Sequence, residues 1–363
     1  MSVFGPGFGE SIVVHLGGGQ WMIVDSCLNR QTKGPAALDY LEEIGVKVPG
    51  NVRLIVSTHW HDDHIRGIAK LYEKCESAEF VCAHGLRSDQ FIKLVTLYSR
   101  ELPSGGSGLQ EFNDVLTVRK ARKAGSRFIG LRLVSEGTMV HEANSGIPVV
   151  VKALSPSSAA VTASLAKFSE ELLPKEGQRR SSVPSAGPND LAIVLSVKVG
   201  EARILLGADL EELGEAEVGW QAIVERFSDV DNSHQGFKVS HHGSETGHHN
   251  EIWPRLLIKD PWAVLTPYLR GKEPLPTGTD IERICALSPQ AYITARRSGA
   301  KHEHPNPAVR RQLREMGVAI VEEFSKQGQV RFRRAASDGS GEWTVEMFGD
   351  ACRLEKLLES DPY

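Results

Sequence analysis

Apolar residues along this chain gather in short runs, cut by glycine- and proline-rich breaks and alternating with stretches of helical spacing. Residues 11–16 and 21–25 read as two strands, joined by the hairpin turn Gly17-Gly18-Gly19-Gln20. Residues 35–44 place Leu38, Leu41 and Ile44 on one helical stripe that Gly45 stops. The run 52–58 is short and β-branched, as a buried strand is. A helical pattern follows it, with Ile65, Ile68, Ala69, Leu71 and Tyr72 on one side. Residues 80–83 predict another strand, 88–101 a helix (Phe91, Leu94, Val95, Tyr98), 103–108 a flexible linker, and Phe112, Val115, Leu116 and Val118 a second helix. Further on, 138–156 reads as a hairpin, 157–188 as a helix running into a polar loop, and 189–197 with 202–209 as a second hairpin. Short strands at 237–240, 262–266, 291–294, 319–321 and 329–332 complete the main body, with a basic helix (Arg310, Arg311, Arg314) among the last of them. Residues 336–363 read as an appendage with one strand and a short helix.

One break differs from the others. His59-Trp60-His61-Asp62-Asp63-His64 sits where the strand 52–58 turns into a helix, and rigid scaffolds often carry chemistry on such loops. Neutral imidazole and carboxylate are good ligands for zinc, manganese or iron. In an extended loop His59 and His61 point the same way, because side chains two apart share a face. Once the helix starts, Asp63 and His64 aim at a second place. That spacing suits two ions roughly 3.5–4 Å apart. The competing reading is a solvated polar turn with chance histidines.

His-x-His-x-Asp-His resembles the signature of the metallo-β-lactamase fold. The resemblance implies an α/β architecture, an αββα sandwich of two mixed sheets with helices outside, over residues 1–335. Helical and loop insertions are then expected at about 86–147 and 157–188. It implies two divalent metal ions, Zn or Mn, held by His59, His61, Asp63, His64, Asp209 and His241. Asp209, after the strand ending Leu206-Gly207-Ala208, would bridge them, and His241 would be the last ligand. His242 would face away, behind the ligands or toward substrate. Asp25 would lie behind the metals and hold a histidine tautomer, against the plainer reading of a strand-end cap. A third histidine for the first ion is sought among His84, His141 and His304; without one, coordination would be open and would favour manganese or magnesium-like ions over tight zinc.

Four passages narrow the likeness: 189–195, 205–209, 238–244 and His304-Pro305-Asn306-Pro307. They look like the nuclease-like domain at the end of the ComEC competence channel. That implies a metal-activated water attacking nucleic-acid phosphodiesters, DNA above all, with Asp63, His242 and His304 as catalytic groups. Alternatives are a hydrolase of a small cyclic nucleotide, phosphoester, lactone or thioester, and a non-catalytic module docking a protein partner through the insertions.

Composition changes this picture little. The chain has 363 residues, enough for one large α/β domain or two ordinary ones, and a net charge of −4 announces no global basic field. The local run Arg119-Lys120-Ala121-Arg122-Lys123 reads either as a dipole complement on a solvated helix end or as a phosphate contact. Five scattered cysteines without a CxxC pair suggest free thiols in a reducing compartment. No basic-then-apolar leader opens the chain, and no apolar run approaches the roughly 18–20 residues of a membrane span. Cytoplasmic location is the expectation.

Overall fold

Two eight-stranded mixed sheets stand face to face in the computed structural model, which describes residues 1–5, 8–87, 89–101, 108–124, 130–172, 187–227, 233–270, 273–296, 328–335 and 341–359. In chain order the strands are β1 (Ser2–Phe4), β2 (Ser11–Gly17), β3 (Gln20–Val24), β4 (Val52–Val56), β5 (Glu79–Ala83), β6 (Leu131–Val134), β7 (Met139–Ser145) and β8 (Ile147–Ala153). They continue as β9 (Leu195–Val199), β10 (Ala202–Leu206), β11 (His234–Lys238), β12 (Leu257–Leu265), β13 (Gln290–Ile293), β14 (Gln329–Arg333), β15 (Thr344–Phe348) and β16 (Cys352–Arg353). The first sheet runs β15-β14-β1-β2-β3-β4-β5-β6 and the second β16-β13-β12-β11-β10-β9-β8-β7.

Strand periodicity explains the layers. On β10, Ile204 and Leu206 join the core between the sheets while Leu205 joins a second core under the outer helices. On β12, Trp262 and Val264 face inward and Ala263 and Leu265 outward. Both faces of this sheet are covered, so its strands read as continuous apolar runs. Trp262 stacks on Phe332 of β14 at 3.8 Å and 16°, locking one sheet to the other. The second core receives Trp220, Ile223 and Val224 from the helix Gly219–Phe227, and Ile281 and Ile284 from Gly278–Leu287. Each such large apolar side chain contributes about 1.5–3 kcal/mol on burial.

Several expectations are revised. Residues 86–147, expected as an insertion, supply β6 to one sheet and β7 to the other. Their helices, Asp89–Glu101 and Gly108–Ala124, bury Phe91, Phe112 and Val115 against the first sheet. Trp60 packs on Phe91 at 5.2 Å and on Phe168 of the helix Ser158–Leu172 at 5.6 Å. The 336–363 segment adds β15 and β16 to the sheet edges. The strand expected from residue 189 begins only at Leu195, because residues 188–191 form a short 3-10 turn. In the basic run, Arg122 donates to the carbonyls of Tyr72, Cys75 and Ala78 and lies over the Tyr72 ring, a structural use of its charge. All five cysteines are free thiols. Among the described residues no helix is long and apolar enough to cross a membrane. The basic helix and the strand at 319–321 lie outside the described residues.

Candidate metal centre

The parallel strands decide where chemistry can sit. β3-β4-β5-β6 are mutually parallel, as are β10-β11-β12-β13. Open α/β sheets bind ligands beyond the carboxyl ends of such strands. Here those ends deliver Asp25 after β3, residues 57–64 after β4, Asp209 after β10, His242 after β11 and Thr266 after β12.

Asp63, His64, Asp209 and His242 converge, their donor atoms all within 4.8 Å of one another, and each is buried. His242 Nε2 stands 3.0 Å from Asp63 Oδ2 and 3.3 Å from Asp209 Oδ2. His64 Nε2 stands 3.2 Å from Asp209 Oδ1 and 3.7 Å from Asp63 Oδ2. His59 and His61 flank this group, with His59 Nε2 and His61 Nδ1 3.1 Å apart and the His59 and His64 rings at 4.3 Å. The second ring nitrogens are taken. His64 Nδ1 donates to Asp25 Oδ2 at 2.8 Å and His242 Nδ1 to the Thr266 carbonyl at 3.0 Å. The Thr58 hydroxyl donates to Asp25 at 2.7 Å, so its oxygen is left to accept from His59 Nδ1 at 3.0 Å. Each of these contacts fixes a tautomer and turns Nε2 toward the cluster.

Backbone strain concentrates at the same place. Asp25, Ala208, His241 and His242 all adopt φ between 46° and 57°, at a cost of order 1–3 kcal/mol each. Gly207 lets the ends of β10 and β11 meet: a Cβ there would lie 2.1 Å from Ser240 Oγ and 2.9 Å from the Lys238 carbonyl oxygen. Gly108 does the same for the motif loop. Its amide donates to Asp62 Oδ1 at 2.6 Å, and a Cβ would fall 1.7 Å from the Trp60 carbonyl oxygen.

Charge is distributed unevenly. Burial keeps His59 well below the ordinary imidazole range and lowers His61 as well. Burial opposes charge on Asp63 and Asp209 too, yet the imidazoles of His64 and His242 hold both carboxyls below the usual range. Conversely, Asp209 and Asp63 overcome burial and raise His64 and His242, the latter to about 9. The carboxylate pair therefore makes a negative, nearly dry hollow that a proton or a divalent cation can fill. His64 Nε2 and Asp209 Oδ1 make no aligned hydrogen bond although both are buried. Buried polar atoms without an aligned partner are rare in native proteins, and a bound cation is one accepted cause. Nitrogen and carboxylate donors without thiolate fit zinc, manganese or iron.

Against the sequence expectations, His59, His61, Asp63, His64 and Asp209 meet at one place, with Asp25 behind His64. The last histidine is corrected. His242, expected to face away, completes the cluster, while His241 turns outward to Glu211 Oε1 at 3.0 Å and Thr246 Oγ1 at 2.7 Å. Of the third-histidine candidates, His84 is exposed in the turn His84–Arg87 and His141 lies on β7 beside Arg53, Arg132 and Glu79. His304 lies outside the described residues. Missed altogether was a buried prop: Lys238 Nζ pairs with Glu10 Oε2 at 2.7 Å, donates to the Ala208 carbonyl at 3.1 Å and stands 3.8 Å from Asp209. The Thr266 hydroxyl joins it, donating to Glu10 Oε2 at 2.6 Å. Its signal was a lysine between Phe237 and Val239 and a glutamate opening an apolar strand.

Residues 4–248 match the family model described as "Metallo-beta-lactamase superfamily". Among solved structures, a metallo-beta-lactamase from Cronobacter sakazakii carrying a HARLDQ-motif mutation is 16% identical at a TM-score of 0.30, covering 58% of this chain and 62% of that one. Zn(2+)-bound PqqB from Methylobacterium extorquens is 10% identical at a TM-score of 0.33, covering 65% and 71%. No curated protein matches the chain.

Proposed function

We propose a function from one premise: the chain belongs to the metallo-beta-lactamase superfamily, as a metal-dependent hydrolase of that fold. The proposed reaction is hydrolysis of nucleic-acid phosphodiesters, DNA in the first instance. One observation carries the chemistry, the buried convergence of Asp63, His64, Asp209 and His242 with two orphaned donor atoms. The substrate class is supported by the likeness of residues 189–195, 205–209 and 238–244 to the ComEC nuclease-like domain, and by guanidinium groups at the edge of the site.

In this reading His59 and His61 would serve one ion and Asp63, His64 and His242 the other, with Asp209 shared. When bound, divalent ions supply Lewis acidity, lowering the pKa of a water and drawing charge from phosphoryl oxygens. The protein's own work is positioning. Asp25 holds the His64 ring through Nδ1 and is itself fixed by the Thr58 amide at 2.8 Å. Thr266 holds His242 in the same way. His59 and His61, kept neutral by burial, present lone pairs without first losing a proton.

The test is metal-depleted protein offered single- and double-stranded DNA, with Mn, Mg or Zn added back. Cleavage restored by one of these ions is expected. His242→Ala should lose bound metal and activity together, whereas His241→Ala should keep the wild-type metal stoichiometry by elemental analysis. Hydrolysis of small carboxylic esters, with no nucleic acid cut under any metal, would move the substrate away from phosphodiesters.

A further inference from the structure

A second recess opens beside the metal cluster. It has a volume of about 170 Å³, and among the described residues four cationic side chains, Arg30, Lys33, Arg66 and Arg270, line it against one carboxylate, Asp62. That carboxylate is engaged by Arg66 at 2.7 Å and by the Gly108 amide at 2.6 Å. Phe8 organises the cations: the Arg270 guanidinium lies 4.0 Å from its ring centroid and that of Arg66 5.3 Å. Cation–π contact of this kind holds the Arg270 guanidinium by its face, so that its N–H edge can bond outward. Like charges are crowded here. Burial and the Arg270 charge both lower the Arg30 pKa, while Asp350 raises it. An anion between the guanidiniums would relieve that repulsion.

The recess is joined to the metal cluster by one residue. The Tyr268 ring sits 5.3 Å from the His242 ring on one side and 5.7 Å from Phe8 on the other. Its backbone is fixed by paired hydrogen bonds of 2.9 Å with Leu275. On the protein side, Asp62 of the recess is the chain neighbour of His61 and Asp63. An aromatic ring beside a cationic recess is the arrangement used on single strands, where bases are free to stack and phosphates meet arginine.

We propose that this recess is a phosphate subsite of the hydrolase. It takes the phosphate next to the scissile linkage of a single-stranded nucleic acid, with Tyr268 against the intervening nucleoside. The proposal rests on the phosphodiesterase reading and adds to it the strandedness of the substrate and the residues that grip it.

The experiment uses fluorescein-labelled dT10 and the EDTA-treated 363-residue chain, so binding is read without cleavage. Arg270→Gln should weaken binding roughly three- to tenfold and should flatten the log–log salt slope by about 0.7 for the lost phosphate contact. Arg255→Gln, which removes an exposed cation paired with Glu251 elsewhere on the surface, should change neither. With metal restored, Arg270→Gln should lose more on dT10 cleavage than on hydrolysis of bis(p-nitrophenyl) phosphate, which has no neighbouring phosphate to grip. Equal dT10 affinity and slope in Arg270→Gln and wild type would overturn the subsite while leaving the function standing. So would wild-type protein that hydrolyses the small diester but does not bind dT10. Wild-type protein that neither hydrolyses the diester nor binds dT10 would overturn both.

Discussion

Replacing Lys238 by methionine tests the buried prop under the metal cluster. The substitution keeps the length and most of the volume of the side chain and removes its charge. Lys238 is 0% exposed and Glu10 1% in their side chains, so no solvent screens the pair. In the variant Glu10 keeps the Thr266 hydroxyl on Oε2, while Oε1 has no hydrogen-bond partner even in the wild type. Removing one partner of such a pair costs roughly 3–5 kcal/mol, because the remaining charge stays buried. The double variant Glu10→Gln/Lys238→Met leaves no unpaired charge at position 10. It should therefore recover part of the loss, with a coupling of about 0.5–3 kcal/mol. The assay is denaturant unfolding of EDTA-treated protein, which removes any contribution from bound metal. The midpoint of Lys238→Met should fall at unchanged slope, and the double variant should lie above it. A Lys238→Met midpoint within about 0.5 kcal/mol of wild type, at the level of an ordinary surface change, would refute the account.

Two further outcomes are expected. Asp25→Asn leaves the loop shape but weakens the acceptor for His64 Nδ1 and the Thr58 hydroxyl. Zinc affinity measured against a chromogenic chelator should drop about 10–100-fold, and an unchanged affinity would make Asp25 a strand-end cap only. In the metal-free protein, His242 is raised from 6.5 to about 9. A raised group stabilises fully below its unfolded pKa and loses that contribution as pH climbs through the folded value. Thermal midpoints of EDTA-treated protein should therefore decline as pH rises from about 6.5 through 9, and His242→Gln should remove part of that decline. A profile that is identical in the two proteins would refute the coupling.

The limits of the sequence lie where adjacency and distance matter. Strands β2 to β5, β10 and the His59–His64 motif each carry their own period and turn residues, so they are legible locally. The αββα arrangement came from the resemblance, since nothing in a local pattern says that β10 pairs in parallel with β11 or that β14 returns to β1. The same long-range pairing brings Glu10 to Lys238 across more than half the chain, which no local window contains. The choice between His241 and His242 is set by the turn that follows the strand. Phe237 and Val239 face the outer core, whereas Lys238 and Ser240 are buried polar residues facing the metal cluster's side. That alternation stops after Ser240, because His241 and His242 both take left-handed φ, and the turn decides which of them meets the carboxylates. A buried lysine in an apolar strand thus marks the strand's polar face, and the left-handed turn after it, not strand parity, brings His242 to the carboxylates.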